Sequence, residues 1–426
     1  MRARSSVLLK RMSEVRAPLL SLDEALARLV GGASTARIAE YETVSTFDAL
    51  GRVLAADVVS AIDVPPADNS SMDGYALRVA DLSGATVLPV SQRIPAGVVG
   101  TALAAGTAAR IFTGAQVPAG ADAIAMQEQC EAVDGGVRID AIPQIGQWIR
   151  RRGEDVCIGA TVLARGQRLS PQALGLAAGV GAALLRVCRR PRVALFSTGD
   201  ELVMPGAVAP SDLPPGAIYN SNRFTLRGLL QAAGCEVTDL GIVPDRLDAT
   251  RDALRRAAAQ NDLILTSGGV SVGEEDHIRP AVAAEGRIEL WQVAIKPGKP
   301  LAFGAVHKDG GGEALFIGLP GNPVSSFITF LLAVAPVLRA MQGLPAELPE
   351  ALTMPAHFDW PRPDKRREFL RVRRNAAGGL DLFPNQSSGV LTSAVWADGL
   401  VDNPPGRAIV RGDLVAYRAL SSMIGA

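Results

Sequence analysis

Across residues 192–343, continuous apolar runs alternate with amphipathic segments, and that alternation limits the fold more than any other feature of the chain. Val193-Ala194-Leu195-Phe196, Glu236 to Val243, Asp262-Leu263-Ile264-Leu265-Thr266, Leu301-Ala302-Phe303-Gly304 and Ala314-Leu315-Phe316-Ile317-Gly318 read as strands. Between them, Asn222 to Ala233 (stopped by Gly234) and Leu247 to Ala259 carry helical periodicity. Strands joined by helices predict a mostly parallel sheet covered on both faces, with ligands bound beyond the strands' carboxyl ends. Four polar or glycine-rich groups fall at such ends: Thr198-Gly199-Asp200-Glu201, Pro244-Asp245, Gly268-Gly269 and Pro320-Gly321-Asn322-Pro323. The expectation is that they meet on one rim.

The chemistry of these groups suits a phosphorylated ligand. A glycine pair after a strand lets backbone N–H groups close on phosphate because no Cβ blocks the approach. Gly268-Gly269 is followed by Val270, Ser271 and the acids Glu274, Glu275 and Asp276. Ser271 offers a hydroxyl, and Asp276 a ligand for a divalent cation or a partner for a ribose or base. Glu274 and Glu275 read as solvated charges at a helix start. In Lys296-Pro297-Gly298-Lys299-Pro300 the constrained backbone aims two lysines, point charges suited to tetrahedral anions. Asn322 or Ser325 can cap the apolar helix that follows, whose N-terminus can also bind an anion.

The rest of the chain frames this region. Ser21-Leu22-Asp23-Glu24 fits a capping box, so a helix begins at Ser21, and a second short helix is expected near Thr46 to Leu54. From about Asp63 to Arg150, short runs such as Ala109-Arg110-Ile111-Phe112-Thr113 and Ala123-Ile124-Ala125-Met126-Gln127 lie between Gly and Pro turns, as in a small β-rich domain. Leu169 to Gly181 reads as helix. Phe369-Leu370-Arg371-Val372, Leu380-Asp381-Leu382 and Ala408-Ile409-Val410 support a C-terminal β-barrel or β-rich cap. Asp68 to Ala76 is dense in turn formers, with Asp73 beside Gly74 and Tyr75 standing out. Arg150-Arg151-Arg152 is either a solvated charge run or support for an anion or a domain junction.

Composition sets the limits. At 426 residues, two to four domains are the prior. The 43 basic and 43 acidic residues cancel, which removes any bulk electrostatic case for nucleic acid or an anionic membrane. Cys130, Cys157, Cys188 and Cys235 form no Cys-x-x-Cys pair and read as buried, reduced thiols of a cytoplasmic protein. No apolar segment reaches the ~20 residues of a membrane helix; the longest candidate, Phe327 to Leu338, reads as a buried helix. Met1 to Arg16 reads as a disordered tail, with an organelle-targeting peptide as the alternative.

From about Leu20 to Val415 the chain resembles the molybdopterin molybdenumtransferase family, which includes bacterial MoeA proteins and the gephyrin E domain. The resemblance is carried in order by Asp68 to Ala76, Thr113-Gly114-Ala115 with Pro118, Arg151 to Asp155, Ser197 to Glu201, Gly268 to Asp276, Ala294 to Pro300 and Leu319 to Ser325. It implies a multidomain fold: a tail over residues 1–17, a discontinuous linker domain over 18–62 and 151–191, and a β-rich domain over 63–150. A central α/β domain of molybdopterin-binding type over 192–343 and a C-terminal β-barrel over 344–426 complete it. It implies an enzyme of molybdenum cofactor biosynthesis that takes adenylylated molybdopterin and molybdate, inserts molybdenum and releases AMP with Mg2+. A homodimer with the active cleft at the subunit interface is implied, as are a molybdopterin adenylyltransferase and molybdoenzyme maturation factors as partners.

Carried over position by position, the resemblance assigns catalytic roles to Asp73, Thr113, Glu201, Asp245, Asp276 and Lys296. It assigns molybdopterin and nucleotide binding to Gly199, Asn222, Gly268, Gly269, Ser271, Pro320, Gly321, Asn322 and Pro323. Lys296, Lys299, Arg371 and Ser388 take molybdate, and Asp276, Glu201 and Asp245 the metal. Gln292 stands where a basic residue is common, and Ser387 where glycine is usual. Three other readings stay open: a molybdopterin-adenylylating enzyme with a similar α/β domain, a non-catalytic dimeric scaffold, and a paralogue handling tungstate. The Asp68 to Asp155 motifs argue against the first, and Asp73, Asp276, Lys296 and Lys299 against the second.

Overall fold

The computed structural model describes residues 19–83, 86–270 and 277–424. The tail expected over residues 1–17 and the expected site residues Ser271 and Asp276 lie outside them. The chain divides into two compact units, residues up to Glu40 with Cys188 onward, and Tyr41–Val187.

The larger unit is built on the predicted sheet. Its seven strands run in the order Leu19–Leu20, Gly286–Val293, Pro300–His307, Glu313–Leu319, Leu263–Ser267, Arg192–Thr198 and Glu236–Val243. Only Pro300–His307 runs against the others, because it pairs antiparallel with both neighbours while the other pairings are parallel. Alternate side chains feed two cores. Val193, Leu195, Leu263, Leu265, Leu315 and Ile317 point to one; Ala194, Phe196, Ile264, Ala314 and Phe316 point to the other. That is why these strands read as continuous apolar runs rather than alternating ones. The first core is closed by the helices Leu22–Thr35, Ser221–Ala232 and the long segment Pro323–Met341. The second is closed by Leu247–Gln260 and Ile278–Glu285.

The capping box at Ser21 forms as read: its hydroxyl accepts from Glu24 N, and Glu24 accepts from Ser21 N. The apolar helix is the one described segment long and hydrophobic enough to cross a membrane, and 89% of its apolar window is buried inside this unit. It widens into a π turn over Phe330–Val334, just ahead of Pro336, whose ring cannot donate to the preceding turn.

The C-terminal region forms a sheet in the order Ile295–Lys296, Arg367–Arg374, Gly399–Asn403, Leu414–Ala419 and Leu352–Pro355, with Leu380–Leu382 paired to Arg367–Arg374. Among the described residues this pairing is an open path, so the expected β-rich C-terminal region is present and closure into a barrel is not shown. Residues 408–410, expected as a strand, contribute only an isolated bridge from Ile409 to Trp360. Asp402, 6% exposed, is clamped there by Arg367 and Arg418.

The smaller unit is β-rich. Val90–Ile94, Ala108–Ile111, Gly74–Leu77 and Ala123–Met126 form one sheet, and Cys130–Val133, Gly136–Ile139 and Val87–Leu88 another. The helix expected near residues 46–54 shortens to one 3-10 turn, Thr46–Asp48. Gly51 has φ 72°, and bridges from Val53 to Arg168 and Leu54 to Val187 pull the following chain into extended pairing. The four cysteines form no disulfide, but they are not uniformly buried: Cys235 is, whereas Cys157 is exposed in the turn after Val156.

Candidate functional site

Beyond the carboxyl ends of the parallel strands lies a cleft of about 670 Å³. Thr198, Gly199, Glu201, Asn222, Asp245, Gly268, Gly269, Pro320, Gly321, Asn322 and Pro323 all line it. The four loops expected to converge therefore do, within one unit, although their members lie up to 125 positions apart in sequence (Thr198 to Pro323).

Local geometry explains each placement. Gly268 and Gly269 have φ 88° and 66°, a turn that residues with Cβ rarely adopt. A Cβ on Gly268 would stand 2.8 Å from the carbonyl oxygen of Thr198. Gly268 N donates to Leu319 O at 3.1 Å, tying the glycine loop to the proline turn. That turn is held again by the Ser326 hydroxyl on Pro320 O and by Asn222 Nδ2 on Gly321 O at 2.7 Å. Glu201 is carried on a short ribbon, Leu202–Val203 paired with Ile218–Tyr219. Asp200 Oδ1 accepts from Asp245 N at 3.2 Å, which joins the two acidic loops.

Sequence reasoning put Thr198 on the rim without giving its side chain a role, and missed Asn220 as a lining residue. Asn220 caps the helix Ser221–Ala232, its Oδ1 accepting from Arg223 N at 3.1 Å. Its Nδ2 and the Thr198 hydroxyl are buried and have no partner among the described residues, and both residues line the cleft. The spacing of Asn220 to Arg223 was the only signal of the cap. Buried donors left unpaired are costly, so these groups suit an acceptor-rich ligand.

Other expected residues lie elsewhere. Lys296 does not line the cleft; its Nζ is 3.4 Å from Asp364 Oδ2 and 3.3 Å from Glu368 Oε1. The cause is pairing: Ile295–Lys296 joins the C-terminal sheet beside Arg367 and Glu368. Asp364 is held well below the usual carboxylate range by the Arg366 guanidinium, despite partial burial. Lys299 is exposed, and its carbonyl accepts from Val293 N. Arg371 is only 1% exposed. Its donors reach Ser393 Oγ at 3.2 Å, Phe369 O at 3.1 Å and Ser387 O at 3.4 Å. Burial lowers its pKa to about 10.

Ser388 sits at the mouth: its carbonyl accepts from Val324 N at 3.0 Å, and its neighbour Gly389 lines the cleft. The first turn of the apolar helix is thus capped by the C-terminal loop, whereas Asn322 makes no side-chain cap bond. Gln292, in the strand Gly286–Val293, pairs with Leu19 on one side and Pro300 on the other, one strand in from the sheet edge.

In the smaller unit, Asp73 Oδ1 accepts from Thr113 N at 2.8 Å and from its hydroxyl at 2.7 Å. The Thr113 backbone and hydroxyl donors hold this carboxyl below its ordinary value. Arg151 and Arg152, the run beside it in the sequence reading, are spent on Asp68 and Asp63.

Oxygen donors fit a hard divalent cation. Glu201 and Asp245 bring two carboxylates to one cleft, and Mg2+ is commonly held by one or two carboxylates together with substrate phosphates. No group of three or more potential metal-ligating side chains occurs among the described residues.

Comparison with known proteins agrees with this geometry. Residues 20–181 match the family described as MoeA N-terminal region (domain I and II), residues 194–340 the probable molybdopterin binding domain, and residues 353–420 the MoeA C-terminal region (domain IV). A molybdopterin molybdenumtransferase of Haemophilus influenzae is 42% identical over 76% of this chain and 78% of its own length. Molybdopterin molybdenumtransferase 2 of Mycobacterium tuberculosis is 40% identical over 85% of this chain and 90% of its own. The crystal structure of a molybdopterin biosynthesis MoeA protein from Pyrococcus horikoshii superposes with TM-score 0.80 at 28% identity, covering 94% of this chain and all of that one. With three consecutive regions matched and the strand-end loops gathered as that architecture requires, the chain belongs to the molybdopterin molybdenumtransferase family.

Proposed function

We propose that this chain catalyses the insertion of molybdenum from molybdate into adenylylated molybdopterin, releasing AMP. The single observation that carries the reading is the meeting of the glycine turn, the proline turn and two carboxylates in one cleft. Its size is within the few hundred to ~1,000 Å³ usual for ligand pockets. In the reaction one water adds across the phosphoanhydride of the substrate, which leaves the pterin monophosphate and releases AMP. The two dithiolene sulfurs bond to molybdenum, and their two protons leave with one molybdate oxygen as water.

In this reading Gly199, Asn222, Gly268, Gly269, Ser271 and Pro320 to Pro323 hold the pterin phosphate and nucleotide. The Gly268 N–H is held by Leu319 O, so the remaining backbone N–H groups of the glycine turn serve the phosphate, with the Asn220 amide and Thr198 hydroxyl as further donors. Glu201 and Asp245, with Asp276, hold Mg2+. A divalent cation bound there supplies neutralisation of the diphosphate oxygens, without which carboxylates and phosphates would repel. Lys296, Lys299, Arg371 and Ser388 make up the oxyanion subsite. Lys296 must exchange its contacts with Asp364 and Glu368 for the dianion. Holding both reactants in one orientation contributes several kcal/mol to the barrier reduction, on the order of what intramolecular reactions gain.

The proposal includes a cytoplasmic homodimer in which Asp73 and Thr113 serve the cleft of a partner subunit. Exposed apolar side chains on the smaller unit, among them Phe47 at 93% and Leu50 at 56%, support an interface there. The regions matched outside the molybdopterin binding domain favour insertion over adenylylation. The test is to incubate purified protein with adenylylated molybdopterin, Mg2+ and molybdate, and to quantify AMP and active cofactor. AMP that appears only with oxyanion supports the reading. Consumption of ATP with unadenylylated molybdopterin, or binding without turnover, overturns it.

A further inference from the structure

The segment that closes the cleft from the C-terminal sheet is held by one side chain to which no role has so far been given. Arg371 lies in the strand Arg367–Arg374, and the chain returns to it through Phe383, whose N–H donates to Arg371 O at 3.1 Å. Gln386 then reaches back to the same residue. Its Oε1 accepts from Arg371 N at 2.9 Å, and its Nε2 donates to Arg371 O at 3.0 Å and to Phe383 O at 2.9 Å. The amide thus pairs with Arg371 as a neighbouring strand's peptide would, donating and accepting at one residue. Only this amide orientation satisfies all three contacts. The next residue, Ser387, gives its carbonyl to the buried Arg371 guanidinium, and Ser388 gives its carbonyl to Val324 N. Gly389 lines the cleft.

We propose that Gln386 is a positioning residue for the oxyanion step: it pins residues 387–389 between the Arg371 guanidinium and the first turn of the apolar helix. This rests on the function proposed above and adds to it the part that sets where the molybdate subsite lies. The physical case is that segment 383–389 belongs to no strand or helix, so side-chain contacts must hold what a ladder would. Arg371 carries a buried positive charge that meets only neutral acceptors among the described residues. Such a charge is oriented toward an anion only as long as the peptide groups around it stay in place. Gln386 does not line the cleft, and its side-chain hydrogen bonds go to Arg371 and Phe383, so its influence passes through the backbone of Ser387 and Ser388.

The test compares wild type with Gln386→Ala and Gln386→Glu. The glutamate keeps the acceptor for Arg371 N and loses both donations. Two readouts are taken: the molybdate concentration for half-maximal AMP release, and the affinity for adenylylated molybdopterin measured without molybdate. Both variants are expected to raise the first about tenfold, the loss of one well-made hydrogen bond, and to leave the second within twofold. Hydrogen exchange at the Val324 amide is expected to quicken at least tenfold in both variants, with exchange in the seven-stranded sheet unchanged. Equal loss of molybdate response and pterin affinity would reduce Gln386 to a folding element and overturn the proposal, as would wild-type values in both readouts. If wild type itself releases no AMP, the functional reading fails, while the Val324 exchange rate still decides whether Gln386 holds the loop.

Discussion

Replacing Gly268 by alanine tests the geometry on which the cleft depends. At φ 88° the residue lies in the left-handed region, where an L side chain costs about 1–2 kcal/mol. The new Cβ would also stand 2.8 Å from Thr198 O, a backbone atom that can move only by displacing the end of the strand Arg192–Thr198. Forcing such an overlap costs typically ~1–3 kcal/mol. The sum, roughly 2–5 kcal/mol, should lower the urea midpoint of the larger unit by about 1 M for a slope near 3 kcal/mol/M. Gly321→Ala is the paired control. Its nearest new neighbour is Gly268 Cα at 3.8 Å, an ordinary contact, and its φ is not positive. Its stability should stay within ~0.5 kcal/mol of wild type. Both residues line the cleft, so both variants should weaken adenylylated molybdopterin by tenfold or more in a direct titration. A Gly268→Ala protein as stable as wild type would refute the conformational argument. A Gly321→Ala protein that binds normally would remove the proline turn from the ligand surface.

Three further outcomes follow from named contacts. Asp402→Asn breaks a buried carboxylate from Arg367 and Arg418 and should cost ~3–5 kcal/mol at pH 7 in chemical denaturation. Burial pushes the Asp402 pKa up, but the two arginines outweigh it and hold the folded value low. Its contribution is therefore complete above the unfolded carboxylate value, about 3.9, and is lost as pH falls through the folded one. The wild-type advantage should hence persist from pH 7 to 5 and shrink below about 4; an advantage constant down to pH 2 would contradict the assignment. Asp73→Ala removes the acceptor of the Thr113 N–H and hydroxyl, and AMP release should collapse while the melting curve of the β-rich unit stays in place. Unchanged turnover would exclude Asp73 from the reaction. Glu201→Gln should raise the half-saturating Mg2+ concentration about tenfold, since one carboxylate ligand is lost. An unaltered Mg2+ response would mean that Glu201 holds no metal.

Much of the architecture was legible because apolar periodicity and chain punctuation are local properties. The strand Glu236–Val243 and the start of the helix at Leu247 lie where alternation and apolar spacing put them, and Ser21 caps where its box says. The rim of the sheet followed by rule: parallel strands end together, so the loops Thr198 to Glu201, Gly268-Gly269 and Pro320 to Pro323 had to meet. The short helix expected at residues 46–54 failed because bridges to Arg168 and Val187, more than a hundred residues away, outbid local helix propensity. Sequence spacing likewise could not tell an open C-terminal sheet from a barrel, since both present the same alternating strands.

The order of strands and helices, the two-sided burial of the sheet and the gathering of its polar loops were thus determined by the sequence alone, through short-range periodicity and the single hand of parallel connections. Which charges are free was decided only in three dimensions. Lys296 turns to Glu368 because its short strand pairs in register with Arg367–Arg374, and Arg371 is buried because the loop after Phe383 folds over it. Pairing register and loop closure join residues 15 to 72 positions apart, and no local pattern encodes which carboxylate or carbonyl a given cation will meet.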